Sequence, residues 1–157
     1  MTSATRRRLA VLLVTAAIVA ALDHFTKYLV SQNIALGNEI PAGAPVTIAH
    51  TENSGAAFGL FPGFQQLYLI VAVVVSSYIL ITAPRMQGSI LRQVVLGGIL
   101  GGAISNGVDR ALRGHVTDLI NFHFWPVFNV ADMAIVGGML LAVVTFRSPR
   151  AQALPPG

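Results

Sequence analysis

Two aspartates, Asp118 and Asp132, lie in the segments His115-Val-Thr-Asp-Leu-Ile-Asn121 and Phe128-Asn-Val-Ala-Asp132 of an otherwise oily chain. A carboxylate at the centre of a bilayer costs roughly 2.5 kcal/mol or more, so it marks a function or a partner. Two carboxylates a few ångströms apart cannot both ionise easily. They share one proton and titrate as a dyad. Such a pair can run hydrolysis: the charged member takes a proton from water, and the protonated member polarises the carbonyl under attack. Which aspartate starts protonated is left open at this point.

The elements that must position this pair are helices. The chain has 157 residues, 54% of them hydrophobic and only 10% charged, with a positive mean hydropathy. That is the profile of an integral membrane protein. A hydrocarbon core of about 30 Å needs about 20 apolar residues per helix, and segments 9–30, 64–83, 91–111 and 130–146 qualify. The expected fold is therefore an all-α integral membrane domain, a single polytopic unit over residues 1–157 built as a four-transmembrane-helix bundle. Its outer loops fall at 31–63 and 112–128. In the first, the alternation of Val46-Thr-Ile-Ala-His50 predicts a short strand and a small extracytoplasmic β element. The second carries Phe122, Phe124, Trp125 and Phe128, rings that suit a membrane interface.

Charge orients the bundle. Arg6, Arg7, Arg8, Arg85, Arg92, Arg147 and Arg150 share one face of a four-span arrangement, which the positive-inside rule assigns to the cytoplasm together with both termini. All six acids and all four histidines fall toward the opposite ends of the helices, so the working surface faces outward. The formal charge of +4 is then mainly topological, and nucleic acid is not an expected partner. An arginine run before an apolar stretch also has the form of a secretory signal peptide. The apolar pattern resumes at Phe25, Tyr28, Leu29 and Val30, which favours a retained helix. With no cysteine, thiolate nucleophiles, disulfides and Cys-ligated zinc are excluded.

Other polar residues accompany the aspartates. Asp23 and Lys27 are spaced i, i+4 on the first helix, where mutual neutralisation is their expected main part and bracing a site a second one. Asn106, Asp109 and Arg110 share one face of the third helix's outer end, either as an Asp109–Arg110 structural network or, for Arg110, as a planar fork for a carbonyl or phosphate. Asn129 and Asp132 open the fourth helix, where Asp132 could also serve as a cap. Gly97, Gly98, Gly101 and Gly102 form overlapping G-x-x-x-G patterns for close helix packing, with Gly137 and Gly138 in the same role. Ser54 and Ser105 have no recognisable pairing with His50, His115 or His123, which disfavours a serine enzyme. His115, Asp118 and His123 form no standard ligand set and no H-E-x-x-H occurs, so no metal and no other cofactor is expected.

Asp23-x-x-Thr-Lys27, Asn53-Ser-Gly-Ala-Ala-Phe58, Gly101-Gly-Ala-Ile-Ser-Asn106 with Asp109-Arg110, Val116-Thr-Asp-Leu-Ile120 and Phe128-Asn-Val-Ala-Asp132 together resemble the ordered motif set of bacterial lipoprotein signal peptidase, or signal peptidase II. Ser105, Gly107 and Leu119 depart from its usual Gly, Leu and Phe. The resemblance implies an aspartic membrane endopeptidase that cleaves diacylglyceryl-modified prolipoproteins on the amino side of the lipidated cysteine. It also implies Asp118 and Asp132 as the catalytic pair, with Asn106, Arg110 and Asn129 lining the site and Asn53 and Gly55 contacting substrate. Asp23 and Lys27 match a further polar pair near the site, and Asp109 supports it. A mobile outer flap is implied too. The expected partners are lipidated prolipoprotein and membrane lipid, the expected state a monomer, and the expected place the bacterial inner membrane. The alternative from the residues alone is a small four-helix proton- or ion-coupled transporter.

Overall fold

Polar side chains fill much of the interior of this chain, while large apolar ones cover its outside. Asp23, Lys27, Ser105, Asp109 and Asn129 are buried, whereas Ile18, Leu22, Val74, Ile81, Leu140 and Val144 are exposed in the computed structural model, which describes residues 2–55, 64–85 and 89–145. That inversion suits hydrocarbon around the helices, since soluble monomers rarely expose apolar patches larger than a few hundred Å².

Four helices, α1 (Ser3–Asn33), α2 (Gln65–Thr82), α3 (Ile90–Arg113) and α4 (Val130–Thr145), carry an antiparallel sheet of three strands, β1 (Glu39–Ile40), β2 (Thr47–Asn53) and β3 (Val116–Asn121), in the order β1-β2-β3. Among the described helices, α1 and α2 are long and apolar enough to cross a membrane, and α4 is apolar but shorter. Two expectations are corrected. The first helix starts at Ser3, not residue 9, because the Thr2 hydroxyl caps it by accepting the Thr5 N–H at 3.2 Å. The arginine run is therefore helical, as the good propensity of arginine allows. The second correction concerns segment 112–128. It is not a plain loop: it contains β3, which joins the strand expected near 46–50, here β2, and enlarges the expected β element to a three-stranded sheet. Val116, Thr117 and Ile120 are β-branched, and β2 offers them an edge, with Asn53 opposite Val116 and Thr51 opposite Asp118. Phe58 of the expected substrate loop, residues 86–88 of the expected cytoplasmic turn, and the end of the fourth segment with its tail, 146–157, lie outside the described residues.

The central helix is α3, which packs against α1, α2 and α4. Its two glycine patterns serve different neighbours. A Cβ on Gly97 would sit 2.6 Å from the Leu12 carbonyl oxygen, and one on Gly101 would run into the Ala16 backbone, so this pair seats α1. One on Gly102 would sit 2.5 Å from the Ala131 carbonyl oxygen and block α4. Of the fourth-helix glycines, Gly138 packs on Ile99, but Gly137 meets nothing within 4 Å. Leu12, Ala16, Ile79, Val95, Ile99 and Leu100 form the main apolar core.

Gly101→Ala is expected to destabilise the protein by about 1–3 kcal/mol, since backbone must move to admit the methyl group. Gly137→Ala is expected to be neutral or to stabilise by up to about 1 kcal/mol through helix propensity. Thermal unfolding in detergent measures both, and equal effects at the two positions would overturn this account of the packing.

Candidate active site

Asp118 reaches its place through the end of α3. Gly114 follows that helix in the left-handed conformation (φ 76°) and donates its N–H to the Arg110 carbonyl at 3.1 Å, a C-terminal turn that glycine makes without steric cost. The chain then runs directly into β3. From β2, the Thr51 hydroxyl donates to the Asp118 backbone carbonyl at 3.1 Å, and Asn53 Nδ2 donates to Asp118 Oδ2 at 2.9 Å. This is a diagonal cross-strand contact.

A tight return brings the second carboxylate close. The Phe128 carbonyl accepts the N–H groups of Leu119 (3.0 Å) and Ile120 (2.8 Å), and the Phe128 N–H donates to Ile120 at 3.1 Å. Asn129 is thereby set beside β3, where its Nδ2 donates to Asp118 Oδ1 at 2.7 Å. The same residue caps α4: its Oδ1 accepts the Asp132 N–H at 2.9 Å, while Asp132 Oδ2 accepts the Asn129 N–H at 3.3 Å. This reciprocal arrangement is a capping box with Asn and Asp in place of Ser and Glu. Asp132 is thus a helix cap and a member of the polar cluster at once. Its Oδ1 accepts from Asn106 Nδ2 at 2.8 Å.

Behind Asn106 sits a buried ionic group. Lys27 Nζ donates to Asn106 Oδ1 at 2.9 Å and to Asp109 Oδ2 at 2.7 Å, and it pairs with Asp23. Asp23 also accepts the Ala131 N–H at 2.8 Å and the Ser105 hydroxyl at 2.7 Å, so one carboxylate on α1 grips both α3 and the first turn of α4. The expected Asp109–Arg110 network does not form. Asp109 turns to Lys27, with Arg113 at 3.7 Å, because adjacent helical residues do not face each other. Arg110 instead donates to the Gly55 carbonyl at 3.1 Å and the Asn106 carbonyl at 3.3 Å, and it lies over the Tyr68 ring at 5.4 Å. The Gly55 N–H in turn donates to Asn53 Oδ1 at 2.8 Å. Hydrogen bonds and ion pairs therefore link Asp23, Lys27, Asn53, Gly55, Asn106, Asp109, Arg110, Asp118, Asn129 and Asp132 into one network.

The Asp118 carboxyl is buried. Burial, and then the neighbouring Asp132 charge, push its pKa up to about 6, against the pull of the Asn53 and Asn129 amides. On the outer sheet, the Thr47 hydroxyl and the Asn121 amide hold Glu39 below the usual carboxylate range through bonds of 2.7 and 2.9 Å that tie the three strands together.

The histidines named above meet other groups. His115 faces Glu52 at 3.3 Å, His123 lies 3.8 Å from Glu39, and His50 Nδ1 meets the Ile34 carbonyl at 2.7 Å. Ser105 commits its proton to Asp23. Among the described residues, no group of three or more His, Asp or Glu side chains is spaced to hold a metal ion. Sequence reasoning missed Thr51, Tyr68 and the part Ser105 plays. For Ser105 a signal existed: Ser105 and Asp109 repeat at i, i+4 on α3 the spacing of Asp23 and Lys27 on α1. Tyr68 carries none.

Comparisons with known proteins bear on the family and the fold. Residues 15–147 match the family described as signal peptidase (SPase) II. The chain is 38% identical over 128 residues to the lipoprotein signal peptidase of Halothermothrix orenii, covering 81% of this chain and 88% of that one. It is 43% identical over 145 residues to the lipoprotein signal peptidase of Mycobacterium avium, covering 88% and 79%. Among solved structures, a bacterial membrane enzyme determined by the in meso method at 1.9 Å superposes with a TM-score of 0.77 at 25% identity, over 88% of this chain and 93% of the other. A second one, at 2.3 Å, gives 0.81 at 23% identity, over 92% and 94%. With the family match spanning most of its length and relatives this similar over four fifths of it, the chain belongs to the signal peptidase II family, the A8 aspartic peptidases.

Proposed function

We propose that this lipoprotein signal peptidase uses Asp118 and Asp132 as its acid and base, and that it cleaves diacylglyceryl-modified prolipoproteins on the amino side of the lipidated cysteine. One observation carries the assignment. Asn129 bonds to both carboxylates, through its side-chain amide to Asp118 and its backbone N–H to Asp132. Two acids pinned to one residue in a largely water-poor site form a dyad, and a dyad holding one proton can hydrolyse a peptide bond.

In this reading Asp118, whose pKa burial and the Asp132 charge raise to about 6, is the member that holds the shared proton, and Asp132 is the charged one. Asp132 then draws the proton from the attacking water, Asp118 polarises the scissile carbonyl, and a proton returns to the departing amine. Arg110 and Asn129 steady the peptide or the developing oxyanion, and Asn106 holds the charged Asp132 by its N–H. Asn53 and Gly55 form the substrate-facing edge, at the end of β2. Arg110 braces that edge through the Gly55 carbonyl.

The setting follows from the substrate. A signal helix and two acyl chains arrive within the bilayer plane, so the scissile bond meets the protein at the depth of a polar cluster near one surface. The arginine-rich ends lie in the cytoplasm, the cluster faces outward, and α3 and α4 complete a four-span bundle in the inner membrane. One copy of the chain holds the complete network, which supports a monomer. A transporter needs polar groups along its whole path, whereas toward the other end of this bundle Leu12, Ala16, Val95, Ile99 and Leu100 form an apolar core beside the buried Gln93.

Two outcomes test the assignment. Asp118→Asn and Asp132→Asn, incubated with a lipidated prolipoprotein, should each stay folded and lose roughly 100- to 10,000-fold in cleavage rate. Wild-type cleavage by either variant would sink the dyad. The pH dependence of kcat/KM should fall on its alkaline side with a limb near pH 6, as Asp118 loses its proton. Because the Asn53 amide favours the Asp118 carboxylate, Asn53→Ala should move that limb to higher pH. A limb that stays in place or moves down would refute the protonation assignment.

A further inference from the structure

We infer that Lys27 is a positioning residue for cleavage: its ammonium fixes which end of the Asn106 amide faces Asp132. The inference rests on the dyad reading given above. Asn106 lies between two groups of opposite character, with Oδ1 toward Lys27 Nζ at 2.9 Å and Nδ2 toward Asp132 Oδ1 at 2.8 Å. A side-chain amide has one accepting end and one donating end, and an ammonium has donors only. If the amide turned over, its N–H groups would point at the ammonium and its oxygen at a carboxylate, so both contacts would become repulsive. Asn129 Nδ2 adds a longer donor contact to the same Asn106 oxygen at 3.4 Å and favours the same sense.

The stoichiometry of Lys27 argues that this contact is more than charge balance. An ammonium has three protons, and here it has three acceptors: Asp23, Asp109 and Asn106. Two carboxylates already exceed the charge that one ammonium can neutralise. The third proton goes to an uncharged amide, and the other end of that amide bonds directly to Asp132. Lys27 is held from the other side with equal care. Asp23 is fixed by the Ser105 hydroxyl and the Ala131 N–H, and Asp109 is on the same helix as Asn106. Lys27 is 2% exposed and Asn106 5%, which leaves little room for water to replace the ammonium as the donor. Ser105 thus completes the seat of a side chain that acts through Asn106 on Asp132.

The test uses a charge-neutral double variant, Lys27→Met with Asp109→Asn, in the full-length protein, with Lys27→Met plus Asp23→Asn as a second variant should the first not fold. Melting temperature in detergent and steady-state cleavage of a lipidated prolipoprotein are the readouts. The expected result is a folded enzyme whose kcat falls by roughly 30-fold or more while KM stays within about threefold, the pattern of an interaction lost in the transition state. In an Asn106→Ala background the same change should cost no more than about twofold further, because coupled residues are not additive. A folded double variant with wild-type kcat, or losses that simply multiply with Asn106→Ala, would overturn the inference. Asp132→Asn run in parallel separates the two levels. If it still cleaves, the dyad reading fails; if it is inactive while the Lys27 variants cleave normally, only the role of Lys27 fails.

Discussion

A carboxylate removed from water must find donors, and in this protein that requirement organises three helices. Asp23 and Asp109 are essentially inaccessible, and each is held by Lys27. Buried ion pairs often add little net stability, because desolvation offsets their attraction, but opening one leaves a bare charge that costs several kcal/mol. The effect is selective. Alignments of α1, α3 and α4 that slide the ammonium away from both carboxylates, or Asp23 away from the Ala131 N–H, are strongly disfavoured. The glycines allow the helices to come this close, and the ion cluster determines at what height they stop.

Each carboxylate of the proposed dyad comes from a different kind of element, and each is anchored by the way that element begins. Asp118 is on a strand entered from the Gly114 turn, with its backbone paired to β2. Asp132 is in the first turn of α4, where unpaired N–H groups and the helix dipole favour negative charge. The link is Asn129, which satisfies the start of α4 and reaches across to β3. A residue type chosen for helix capping is therefore also suited to orienting acids, since both tasks require an amide with a donor and an acceptor on a short, stiff stem.

Much of this was legible in the sequence, for physical reasons that differ by element. The helices were readable because hydrocarbon demands long apolar runs, and the polar cluster because acids are expensive in such runs. Asn106, Asn129 and Asp132 could be placed by helical spacing. β3 was not readable as a strand: its pairing partner lies far away in the chain, and Asp118 interrupts its apolar pattern. The partner of Asp109 stayed open for a related reason. Arg110 is next in sequence, but Lys27 is next in space, and only the crossing of α1 over α3 decides between them. Tyr68 meets Arg110 through the packing of α2 on α3, which no local pattern announces.

The double duty of Asn129 has a consequence for the life of the chain before it is fully assembled. Because the residue that starts α4 also orients both acids, a molecule in which that helix has not yet docked has no aligned dyad. Peptide-bond hydrolysis is hazardous inside a membrane crowded with half-inserted proteins. With Asp118 and Asp132 as the proposed acid and base, competence arrives with the final piece of architecture, and a copy in which α4 has not docked lacks it.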